Sequence, residues 1–150
     1  RHINRIDNIT SQLNELDLKT HLHEPLKNIS KDTDIYLVNS YGQTKSFYSL
    51  SKNVFLGGSL IEHGGQNPLE PLSHGCFVLS GSFNKNFEEI YLDLEKLNLC
   101  KTMNSDNLDL ISNEINNLVK VDFNNSAEIE NFISTNRNSL KNITEMIEKC

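Results

Sequence analysis

The chain has 150 residues, 37% of them hydrophobic, with a formal net charge of -6 and a pI near 5.3. That length supports one domain with a core of its own. The acidic balance leaves no basic face to neutralise phosphates, which excludes a general nucleic-acid binder, and no apolar run approaches the roughly 20 residues of a membrane span. The chain itself is therefore expected to be soluble. It begins Arg1-His2-Ile3-Asn4 without a methionine, which points to a piece of a longer protein. Three cysteines at Cys76, Cys100 and Cys150 are odd in number and widely spaced, so neither a disulfide framework nor a zinc site is expected, and a reducing compartment fits. Cys76 lies in an apolar run and reads as a small core residue. The sequons at Asn8, Asn28 and Asn142 read as chance in an Asn-rich chain.

In chain order, Ile3, Ile6, Ile9, Leu13 and Leu16 recur at helical steps and predict a helix over Arg1–Leu18. Residues 19–33 are polar, contain Pro25 and read as a loop, with His21 and His23 solvated. Asp34–Val38 reads as a strand, Asn39–Gly42 as a turn and Thr44–Ser51 as a short helix. Asn53–Gly57 is a strand apolar on both faces, as a central parallel strand is. Residues 59–66 form a loop. Asn67–His74 is a helix with Pro68 in its first turn and Gly75 as its C-cap. Cys76–Ser80 is a buried strand. Asn84–Leu97 is a helix with Phe87, Ile90, Tyr91 and Leu94 on one side. Leu99–Met103 is a short edge strand, and Asp106–Val119 a helix with Leu108, Ile111, Ile115 and Leu118 inward. Residues 127–150 supply one or two closing helices.

Strands alternating with helices predict an α/β fold, a Rossmann-like parallel sheet with helices on both faces. Ligands of such sheets sit outside the carboxyl ends of the strands. The turns at 39–43, 58–67 and 81–86 all fall at that edge. Six of the seven glycines and two of the three prolines lie between Phe55 and Gly81, so binding is expected there. The loop from Gly57 to Asn67 feeds a helix start, which suits an anion. Glu70 can accept hydrogen bonds from the vicinal hydroxyls of a ribose. The competing reading is a capping box, with Asn67 capping the helix and Glu70 returning to its N–H. The pattern is neither GxGxxG nor a phosphate-loop lysine motif. His63 and His74 flank the loop in polar roles, since no third residue completes a metal set.

Several blocks together resemble one family. They are Arg1-His2 with Arg5, Gly42 with Phe47-Tyr48, Phe55-Leu-Gly-Gly-Ser-Leu60, Gly64-Gly-Gln-Asn-Pro-Leu-Glu-Pro71, His74-Gly-Cys-Phe-Val-Leu79 and Asn86-Phe-Glu-Glu-Ile90. In this order and spacing they are similar to the donor-binding domain of the 3-deoxy-D-manno-octulosonic acid (Kdo) transferases of lipopolysaccharide synthesis. Residues 88–150 match only in helical character. The resemblance implies the C-terminal half of a GT-B glycosyltransferase, with residues 1–150 as a single nucleotide-sugar-binding domain. It implies CMP-Kdo as donor, a lipid A precursor (lipid IVA) as acceptor, no cofactor and no metal. Contacts to CMP are implied at Arg1, Tyr41, Gly42, Gln43, Asn67, Pro68, Leu69 and Glu70, with Ser59 and Asn86 as additional candidates. Arg1 and the helix start at Asn67 would hold the phosphate, Glu70 the ribose, and the 41–43 turn the cytosine edge. The catalytic base, the acceptor site and the membrane contact are expected in an N-terminal domain, and the whole enzyme at the cytoplasmic face of the bacterial inner membrane.

This chain departs from the family pattern at three places. Gln43 stands for a Glu, Gln66 for a His, and Gly81-Ser82-Phe83 for a Gly-Pro-His segment. Two other readings compete with the transferase domain: a non-catalytic nucleotide-binding or interaction module of the same fold, and a GT-B transferase using another nucleotide sugar.

Overall fold

The computed structural model describes residues 3–104, 107–120 and 127–135. They fall in two compact units, Arg1–Thr44 and Lys45–Cys150.

In the first unit a 3-10 turn over Ile3–Arg5 leads into helix α1, Ile6–Glu15. Ile6, Ile9 and Leu13 are half-buried, whereas Leu16 falls beyond the last helical turn and is 70% exposed. Strand β1 (Thr20–Leu22) pairs in parallel with β2 (Ile35–Leu37), Thr20 opposite Ile35. The sequence predicts β2 but reads β1 as loop, because its three residues carry one aliphatic side chain. Pairing is imposed from outside the strand. Asp34 accepts a hydrogen bond from the Lys19 N–H through its carboxylate (2.9 Å), and its own N–H donates to Lys19 O at 2.9 Å. The histidines expected in solvent lie on or beside this strand. His21 stacks on Tyr36 at 5.3 Å with its Nε2 sealed from solvent, and His23 Nδ1 lies 2.6 Å from the Tyr36 hydroxyl.

The second unit carries a parallel sheet of order β3-β4-β5: Asn53–Leu56, Phe77–Gly81 and Cys100–Met103. Here β4 is central and every residue of it is buried. Strand β3, expected to be central, is an edge of this sheet, and its Phe55 is 38% exposed. Helix α2 (Thr44–Leu50) precedes β3, α3 (Leu69–Leu72) joins β3 to β4, α4 (Glu88–Lys96) joins β4 to β5, and α5 (Leu108–Val119) follows. Residues 127–135 are helical.

Alternation along the strands sends side chains to two cores. Leu56, Val78 and Cys100 face Leu72 of α3, Tyr91 and Leu94 of α4, and Ile129. Phe77, Leu79 and Met103 face Ile111 and Leu118 of α5. The sheet is thus covered on both faces, which is why its strands read as continuous apolar runs. Asn107 caps α5, its side chain accepting from Asp109 N and Leu110 N; Leu108, the first residue of the helix, is 74% exposed rather than inward. Burial, reinforced by the nearby Glu95 carboxylate, pushes the Cys100 thiol up to about 12. Both Cys76 and Cys100 are buried and free; Cys76 Sγ lies 3.2 Å from both Tyr48 O and Ser51 O, so its single S–H ties the end of α2 and the residue after it to the start of β4. Both thiols belong to the packed interior, and burial raises that of Cys76 as well.

Candidate functional site

The carboxyl ends of β3 and β4 release two loops, 57–68 and 82–87, and Ser59 fastens them together. Its hydroxyl donates to Leu56 O (2.6 Å) and accepts from Gly81 N (2.8 Å), while its carbonyl accepts from Phe83 N (2.9 Å). Ser59 is fully buried. Its part in a site is therefore to hold the backbone that surrounds one. Further out, Gly65 N donates to Gly58 O, Asn86 N to Gly64 O, and the Tyr91 hydroxyl to Gln66 O at 3.1 Å. Gly65 needs to be glycine twice over. Its φ is +74°, and a Cβ would lie 2.8 Å from Asn84 Cα.

The loop then turns into α3. Asn67 Oδ1 accepts from Leu69 N at 2.9 Å, the capping half of the expected capping box. The other half does not form. Glu70 is exposed, and its carboxylate takes no partner among the described residues. Helix α3 is also one turn long, not the eight residues expected. Pro71 withholds one N–H, and Gly75 at φ +82° closes the turn, with Cys76 N donating to Pro71 O and Gly75 N to Leu72 O. One turn carries little dipole, so attraction of an anion rests on individual N–H groups of the loop. Those of Gly64, Gln66 and Asn67 find no acceptor among the described residues. The His63 ring and the Gln66 amide come to 3.3 and 3.7 Å from where a Cβ on Gly58 would be. His74, at the far end of α3, has Nδ1 3.0 Å from Glu70 O and packs by Tyr48.

Of the residues singled out in the sequence, Asn67, Pro68, Leu69 and Glu70 thus share one exposed loop-to-helix corner, with Pro68 buried beneath it. Asn86 is exposed on the facing loop, its side chain lying over Gly64. Tyr41, Gly42 and Gln43 belong to the end of the first unit. There Tyr41 is 70% exposed, and Gly42 adopts φ +83° with open space where a Cβ would be. Arg1 lies outside the described residues. Sequence reasoning gave no structural role to Ser59, the Tyr91 hydroxyl or Asn84; a serine directly after two glycines at a strand end was the available signal for the first. Among the described residues no three His, Cys, Asp or Glu side chains are placed to hold a metal, and no helix is long and apolar enough to cross a membrane. Surface cavities of about 570 Å³, between α4 and residues 128–135, and about 390 Å³, beside α1, do not include these loops.

No protein-family model matches the chain. A 3-deoxy-D-manno-octulosonic acid transferase of Haemophilus influenzae is 42% identical over 62 residues, 41% of this chain and 14% of that protein. A bifunctional glycosyltransferase/methyltransferase of Fusobacterium nucleatum is 33% identical over 92 residues, 60% of this chain and 14% of that one. A 3-deoxy-D-manno-octulosonic acid transferase of Aquifex aeolicus is 29% identical over 96 residues, 64% of this chain and 26% of that one. The matched stretches thus span only 14% to 26% of these relatives. The crystal structure of the C-terminal CMP-Kdo binding domain of WaaA from Acinetobacter baumannii matches with a TM-score of 0.69 and 26% identity, over 93% of this chain and 70% of that one.

With a covered parallel sheet and a glycine loop at its carboxyl edge, a likeness of that extent defines the class: a Rossmann-like α/β chain corresponding to the C-terminal half of a GT-B glycosyltransferase. Within that class its likenesses are to 3-deoxy-D-manno-octulosonic acid transferases and to the C-terminal CMP-Kdo binding domain of one of them.

Proposed function

We propose that residues 1–150 are the donor-binding domain of a glycosyltransferase that moves Kdo from CMP-Kdo to a lipid A precursor such as lipid IVA. The observation that carries this is the likeness to a CMP-Kdo binding domain across 93% of the chain. The corner at Asn67–Glu70 supplies the chemistry. The N–H groups of Gly64, Gln66 and Asn67, which have no acceptor among the described residues, are left for the donor phosphate. Fixed donors of this kind stabilise charge on the departing CMP without reorganising. The uncommitted Glu70 carboxylate accepts from the ribose hydroxyls. For Arg1, Tyr41, Gly42 and Gln43 the nucleotide role rests on the family resemblance alone. The base that activates the acceptor, the acceptor site and attachment to the cytoplasmic face of the inner membrane are assigned to an N-terminal domain, so these 150 residues by themselves are inactive.

Calorimetric titration of the chain with CMP and with UDP tests the donor class. CMP is expected to bind at least about tenfold more tightly, a difference of about 1.4 kcal/mol. Equal affinities, or a preference for UDP, would replace CMP-Kdo with another nucleotide sugar. Saturation with neither would leave a non-catalytic module.

A further inference from the structure

Asn84 is 7% exposed and occupies the N-cap of the 3-10 turn Lys85–Phe87, yet its side chain makes no capping hydrogen bond. It makes none elsewhere among the described residues either; only its backbone is engaged, the N–H with Ser82 O and the carbonyl with Phe87 N. An asparagine in that position normally caps, and a buried amide without partners costs stability. The described side-chain atoms that are sealed from solvent and unpartnered are His21 Nε2 and Asn53 Oδ1. The Asn84 amide therefore keeps an opening to the surface although the rest of the residue is enclosed. Its location is specific. The Asn84 Cα and Cβ abut Gly65, 2.8 and 3.1 Å from where a Cβ on that glycine would be, so the amide is rooted against the backbone that leads from Gly64 to Asn67.

We propose that Asn84 is a contact residue for the nucleotide-sugar donor, its amide exchanging hydrogen bonds with a hydroxyl or carboxylate of the transferred sugar. This rests on the donor-binding reading above. A neutral amide offers both a donor and an acceptor, which matches a polyhydroxy acid better than a phosphate, to which only its N–H2 could donate. The glycine at 65 has a second meaning on this account: it lets the 58–67 loop approach closely enough for an enclosed side chain on the neighbouring loop to reach the same ligand.

The test uses Asn84→Ala and the volume-keeping Asn84→Leu, with titrations of CMP and CMP-Kdo and a thermal melt of each variant. Neither variant breaks a side-chain hydrogen bond, so melting temperatures are expected to stay level or rise. Affinity for CMP-Kdo is expected to fall about tenfold, the size of one good hydrogen bond, and affinity for CMP by less. Unchanged CMP-Kdo affinity in both variants overturns the proposal. So does a loss of affinity that appears only together with a loss of stability, because that marks a structural role. If the unsubstituted chain binds CMP but neither variant changes CMP-Kdo binding, the donor reading stands and the role of Asn84 fails. If the unsubstituted chain binds neither ligand, both fall.

Discussion

Alanine at Gly81 is expected to destabilise the second unit by about 3 kcal/mol. The added Cβ would sit 2.1 Å from the Ser59 carbonyl oxygen and 2.5 Å from its carbon. These are backbone atoms on a loop held by three hydrogen bonds, so no rotamer change relieves the clash. Relief requires moving Ser59, which takes its hydroxyl away from the Leu56 carbonyl and the Gly81 N–H. Domains of this size are stable by about 5–15 kcal/mol, so the loss is a large share. Thermal unfolding followed by circular dichroism should show a midpoint lower by at least about 10 °C. A midpoint within a degree of the parent would mean that the two loops are not fastened through Ser59.

The second large effect belongs to Glu70. Its carboxylate is exposed and uncommitted, so Glu70→Ala should leave the melting temperature unchanged within error. Affinity for CMP, by contrast, should fall about 10- to 100-fold, the span expected when a charged acceptor of two hydroxyls is removed. The same variant should also lose discrimination between CMP and 2′-deoxy-CMP, since the second hydroxyl would have nothing left to donate to. A variant that binds CMP like the parent, or still prefers CMP over its deoxy form, would show that Glu70 does not hold the ribose. The half-formed capping box sharpens this expectation. Had Glu70 returned to the Asn67 N–H, its removal would have cost stability as well, and the two effects would be mixed.

Much of this architecture is legible in the residues. The apolar run at 76–80 and the paired Tyr91 and Leu94 announce a buried strand and the helix that covers it, because each is decided by local periodicity. Gly75 announces the end of α3 because only a residue tolerant of φ +82° closes that motif cheaply. What failed was decided at a distance. Strand β1 exists because Lys19 and Asp34 meet across 15 residues, which Thr20-His21-Leu22 does not signal. Helix α3 is half its expected length because Pro71 and Gly75 act together. Leu108 keeps the spacing of the buried stripe but stands at the first position of α5 and is exposed. The candidate site divides the same way. Asn67 and Glu70 stand out by spacing, whereas Ser59 and Asn84 gain their roles only once the 57–68 and 82–87 loops are seen against each other.

CMP is expected to bind on these two loops, at the carboxyl edge of the β3-β4-β5 sheet. Mapping CMP-induced changes in backbone amide resonances of the 150-residue chain tests it most directly. Saturable shifts are expected to concentrate in 57–70 and 82–87, with Gly64, Gln66 and Asn67 among the largest. Shifts centred instead on the cavity lined by Ile90, Leu97 and Phe132, or an absence of saturable shifts in both loops, would contradict it.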